Sequence, residues 1–177
     1  MSFEMMIRIL EVCVIPIAVA LLGGNIIAKY LEDQRLRKNE QRQEYKSAAE
    51  RCQKHVSQWK SVSDNILILS VGFLSGKTSY LEFFFARKKA FEKYDFDSSV
   101  LRSDLLNYFP DAVEKMNRCV EANSAVSNIV HRHKAAVGES GIGKYREYDD
   151  LIAQNEEIQA AYDDLQATIG QGFRKML

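Results

Sequence analysis

Few residues of this chain have the types and spacing that chemistry requires, and three groups carry what there is. The first is Asn128-Ile129-Val130-His131-Arg132-His133. Histidine titrates near neutrality and serves as acid, base or ligand, and a neighbouring amide can orient a substrate. Read as helix, His133 falls on the inward stripe and Asn128, five residues earlier, is expected just off that face. His131 and His133 point to nearly opposite sides, so one metal ion cannot take both. His55 is the only other histidine, and neither a metal site nor a cofactor site is expected.

The second group, Gly138-Glu139-Ser140-Gly141-Ile142-Gly143-Lys144-Tyr145, comes within one residue of a phosphate-cradling loop. That mechanism needs Ser or Thr after the lysine, to hold magnesium, and a strand before the loop. Tyr145 takes the hydroxyl's place, the preceding segment reads as helix, and only 32 residues follow. The segment therefore reads as a glycine loop that ends a helix.

The third group lies in Ile9–Ala28, ILEVCVIPIAVALLGGNIIA, where Glu11 is the one ionisable carboxylate. Twenty residues at about 1.5 Å each match the roughly 30 Å hydrocarbon layer, so a transmembrane helix is expected. Apolar residues continue past Ala18-Val19-Ala20 and the preceding region is nearly uncharged, which disfavours a cleaved signal peptide. Arg8 precedes the span; Lys29, Arg35, Arg37, Lys38, Arg42 and Lys46 follow it. That bias places the C-terminal domain in the cytoplasm of a bacterial inner membrane. Glu11, Ala18 and Asn25 are seven apart, with Lys29 four later and Ile15 and Leu22 between, all on one stripe. In an oligomer the stripe turns inward as a lumen with polar ends and an apolar waist. In a single helix, Glu11 and Lys29 snorkel and only Asn25 needs a partner.

The elements that position these groups follow from periodicity. Residues 29–54 carry eight Lys/Arg against five Asp/Glu, and residues 139–177 carry four against eight. A basic segment beside an apolar span suits anionic lipid, but no strongly basic face announces nucleic-acid binding. Three scattered cysteines form no disulfide framework, and two prolines favour long helices. Tyr45, Ala49, Cys52, Val56, Trp59, Ser63, Ile66, Ser70 and Phe73 alternate by four and three, a packed helix face. Ile66–Gly76 is too short to span and reads as a buried helix end, its Gly72-x-x-x-Gly76 spacing allowing close helix approach. Phe83, Phe84 and Phe85 read as core or interface, and Arg87, Lys88 and Lys89 as surface. Asp95–Ser99 is a capped break, a short helix follows through Leu101, Leu105 and Tyr108, and Pro110 opens a longer one. Its inward positions are Ala112, Met116, Cys119, Asn123, Val126, Val130, His133 and Val137. A last helix over Tyr145–Phe173, with Leu151, Asn155, Ile158, Tyr162, Leu165 and Ile169 inward, closes an antiparallel hairpin.

The expected fold is all-α: a transmembrane helix at 1–28, a stalk helix at 29–62 and a cytoplasmic helical bundle at 63–177. Asn128 and His133, four residues between them, match the spacing of the Arg-x(4–6)-His motif of HEPN-type ribonucleases, with Asn where arginine belongs; Arg51 stands only four before His55. Together with the N-terminal span and the helical cytoplasmic part, the chain resembles the small membrane accessory protein of type VI-B, RNA-targeting CRISPR systems. The resemblance implies a HEPN-like bundle, a ring-shaped homo-oligomer whose N-terminal helices line a membrane pore, and an antiviral role beside an RNA-guided effector. Asn lacks the charge that stabilises a phosphorane-like transition state, which speaks against cleavage. Two alternatives are a membrane-tethered ribonuclease and a passive anchor for a cytoplasmic partner.

Overall fold

The computed structural model describes residues 15–94, 97–137 and 148–176. It is all-α, with no strand among the described residues: α1 Ile15–Leu74, α2 Tyr80–Tyr94, α3 Ser98–Tyr108, α4 Ala112–Val137 and α5 Tyr148–Met176. Two compact units divide the chain, Met1–Glu44 and Tyr45–Leu177, and α1 contributes to both.

In the first unit, residues 24–44 are exposed, among them Ile26, Ile27, Tyr30, Leu31 and Leu36. The polar run after Lys29 holds local contacts, such as Gln34 Nε2 donating to Tyr30 OH at 2.8 Å. No helix among the described residues is long and apolar enough to cross a membrane. Of the expected span Ile9–Ala28, residues 9–14 lie outside the described residues. The described remainder, residues 15–28, falls short of the roughly 20 apolar residues a crossing needs.

The second unit has a continuous core from α1, α3, α4 and α5, including Cys52, Val56, Trp59, Leu101, Leu105, Met116, Cys119, Ile158, Tyr162 and Leu165. Residues spaced by four and three supply it because such spacing keeps one helix face toward its neighbours. Each large side chain buried in this way contributes about 1.5–3 kcal/mol before chain entropy opposes it. As numbers rise along α4, partners on α5 fall: Lys115–Asp164, Arg118–Glu157 and Arg132–Asp150 pair across the hairpin, which is therefore antiparallel. Arg51 clasps Asp104 through Nε and Nη2 at 3.0 and 2.9 Å and ties α1 to α3, while Lys60–Asp163 ties α1 to α5. A smaller cluster of Phe73, Phe83 and Val130 seats the start of α2 on the end of α1.

The helix ends explain the breaks. Gly76 takes φ 68°, and its N–H donates to the Phe73 carbonyl while that of Lys77 donates to Gly72. This pair of bonds closes α1 with a left-handed residue that glycine adopts without a Cβ penalty. The Gly72-x-x-x-Gly76 spacing thus serves a helix end, and Gly72 faces the Thr78 side chain of its own loop rather than another helix. Ser79 and Glu82 form a reciprocal capping box at α2. Asp97 caps α3 by accepting from the N–H of Ser99. The last helix is described from Tyr148, the expected start at Tyr145 lying outside the described residues, and α4 begins at Ala112, two residues past Pro110.

Candidate functional site

Five residues were expected to line a polar stripe. Glu11 lies outside the described residues. Ala18 and Leu22 belong to α1, whose side chains are described from Gly23 onward. Asn25 and Lys29 are exposed one turn apart on the same helix, as i and i+4 positions are.

Asn128 and His133 do not converge. Five residues at about 100° each turn the helix by about 140°, so the expectation that Asn128 lies just off the face of His133 is corrected. His133 is 1% exposed, with its ring edge-on to Phe73 at 5.2 Å. Asn128 is exposed and lines an open groove of about 510 Å³ between α4 and α5. Arg132 lines that groove too, but Asp150 on its far side lies 3.5 Å from the guanidinium. His131 is exposed, on another face than His133. Gly138–Tyr145 lies outside the described residues. Among the described residues, no three His, Cys, Asp or Glu side chains are grouped to hold a metal ion.

The polar contact that the bundle does build was not expected as a unit. Ser63 Oγ donates to Asn123 Oδ1 at 2.6 Å and shares a hydrogen bond of 2.7 Å with Tyr162 OH. Asn123 Nδ2 in turn donates to the Cys119 carbonyl at 2.7 Å and to Tyr162 OH at 3.2 Å. With Tyr162 donating to Ser63, every strong donor and acceptor finds a partner, and the three groups close a ring across α1, α4 and α5. Trp59 stands edge-on to Tyr162 at 5.3 Å. Burial pushes the Tyr162 phenol above its ordinary value, opposed by the bonds from Ser63 and Asn123. Ser63 therefore has beside it an amide and a phenol that keeps its proton, and no base to activate it as a nucleophile. The ring fixes the register of three helices and does no chemistry.

Both described cysteines are buried, and desolvation pushes each thiol up to about 12. At neutral pH they are unreactive thiols, since the thiolate is the nucleophile. The sequence placed Ser63, Asn123 and Tyr162 each on an inward face. The signal for their meeting was available: polar groups on buried stripes must find partners in one another.

The chain matches no protein-family model, no curated protein and no solved structure.

Proposed function

We propose that the chain is a single-pass membrane protein that assembles into an oligomer and permeabilises a bacterial inner membrane as an antiviral defence effector, in the manner of the accessory proteins it resembles. The observation that carries this reading is the Ile9–Ala28 run, apolar but for a polar stripe at heptad spacing. Asn25 and Lys29 on that stripe are exposed, and so are Ile26, Ile27, Tyr30 and Leu31 around them. A surface mixing large apolar side chains with an amide and a cation on successive turns needs cover from lipid on one side and from further copies on the other. Glu11, Asn25 and Lys29 then brace or line the lumen, with Ala18 and Leu22 at its waist. On this reading the helical bundle faces the cytoplasm and meets an RNA-guided effector there.

The tethered-ribonuclease alternative loses ground, because a cleaving histidine must reach a phosphodiester and His133 is enclosed by Phe73 and its neighbours. The adaptor alternative requires no oligomer, so the full-length protein is to be weighed in detergent by light scattering or native mass spectrometry. A discrete ring of several copies, with ion conductance in liposomes that Glu11→Leu alters, is the expected result. A monomer or dimer would overturn the pore and leave the adaptor.

A further inference from the structure

Beside the Ser63–Asn123–Tyr162 ring, α1, α2 and α4 enclose a pocket of about 160 Å³. Its charge is one-sided. Arg87 of α2 is its cation, no carboxylate lines it, and no carboxylate among the described residues lies within ion-pair distance of Arg87. Two other depressions differ in this respect, since one sets Asp150 against Arg132 and the other sets Asp111 beside Lys175. The guanidinium lies 5.9 Å from the centroid of the Phe91 ring, and its planar fork of donors suits a planar or tetrahedral anion.

The remaining lining is partly polar and partly apolar. Ser127 adds a hydroxyl to the lining, while Ser63 and Asn123 are engaged with each other and with Tyr162. Trp59 and Phe91 supply aromatic surface, and aliphatic side chains of α1 and α4 complete it. The volume is close to that of cavities known to hold a benzene-sized body. A cation would meet like charge here, and a wholly apolar ligand would leave Arg87 facing hydrocarbon, at a cost that burying an unpaired charge always carries.

We propose that this pocket binds a small aromatic oxyanion, its phosphate or carboxylate held by Arg87 and Ser127 and its ring packed against Trp59 and Phe91. The site lies wholly within Tyr45–Leu177 and does not rest on the membrane reading, so either can fail without the other.

Trp59 is the one tryptophan of the chain, so its emission reports directly on the pocket. Full-length protein in a mild detergent is titrated with phenyl phosphate, with benzamidine as a ring of the same size and opposite charge. The expected result is a saturable change with phenyl phosphate and none with benzamidine. Arg87→Gln, at a half-buried position where folding is retained, weakens binding by about tenfold or more, as loss of a charged hydrogen bond does. Ser127→Leu, which fills the pocket, abolishes it. Equal affinity for benzamidine, unchanged affinity in Arg87→Gln, or no saturable change at millimolar phenyl phosphate would overturn the proposal.

Discussion

Tyr162→Phe removes one oxygen from the centre of the bundle and tests whether the polar ring acts as a unit. The phenol is fully buried and takes part in bonds of 2.7 Å to Ser63 and 3.2 Å to Asn123. Without it, Ser63 still donates to Asn123 and one N–H of Asn123 still donates to the Cys119 carbonyl; the second N–H, freed from Tyr162, belongs to a half-buried residue lining the adjoining pocket, where water reaches it. The loss is therefore that of ordinary hydrogen bonds, about 1–2 kcal/mol in all, rather than the larger penalty of a buried orphan. Ser63→Ala breaks the same 2.7 Å bond and also strips Asn123 Oδ1 of its donor, so it costs about as much or more. Because both single variants delete one shared bond, the double variant loses less than their sum, by about 1 kcal/mol. Urea unfolding followed through Trp59 emission gives all three values, each normalised to wild type. Additivity within about 0.3 kcal/mol would refute the claim that these groups form one closed network.

Stability at alkaline pH depends on the two buried thiols. Each is raised from 9.0 to about 12, so the folded chain keeps protons that the unfolded chain releases. Their contribution is fully present below about pH 9 and is lost progressively as pH rises from there through about 12, at up to about 1.4 kcal/mol per pH unit for each thiol. In Cys52→Ala/Cys119→Ala the fall over that window, read from urea midpoints, is shallower, whatever the variant loses at neutral pH. Gly172→Ala brings a Cβ to 2.9 Å from Cδ1 of the buried Phe109, whereas Gly170 has nothing within 4 Å. The first substitution destabilises by about 1 kcal/mol as overpacking outweighs helix propensity, and the second stabilises by a similar amount; thermal melts of the pair separate them. Gly76→Ala forces a Cβ into a left-handed conformation and lowers stability by about 1 kcal/mol, measured in the same way.

Much of the bundle was legible because its helices bury one face each. Cys52, Val56, Trp59 and Phe73 on α1 and Ile158, Tyr162, Leu165 and Ile169 on α5 were placed inward by spacing, and all are buried. Ala122, Ile129 and Ala161 are buried as well and were not placed, since a strict alternation of four and three marks a seam narrower than the stripe a helix buries among several neighbours. The phenylalanine run divides: Phe83 is buried while Phe84 and Phe85 are half exposed, because consecutive residues on a helix cannot share a face. The Arg87 pocket was not legible at all. Its residues come from α1, α2 and α4, and no periodicity within one helix carries the distance between three. Asn128 and His133 were legible as residue types but not as a pair, because spacing in a motif gives no direction until the helix turn is counted.

The order in which the chain is made gives α1 a distinctive problem. Its apolar face is synthesised first, yet its contacts with α5 join residues 99, 103 and 113 positions apart. At roughly 5–20 residues per second, the later partner leaves the ribosome about 5–20 s after the earlier one. For that interval Cys52, Val56 and Trp59 have no α5 to cover them, while α4 and α5 can pair as soon as their hairpin emerges. A nascent chain in this state presents a sticky helix before it presents a fold. Its yield in a cell is therefore governed by the holdase or bilayer that meets that helix first, and slowing translation across α2 and α3 would lengthen the exposure without altering the finished protein.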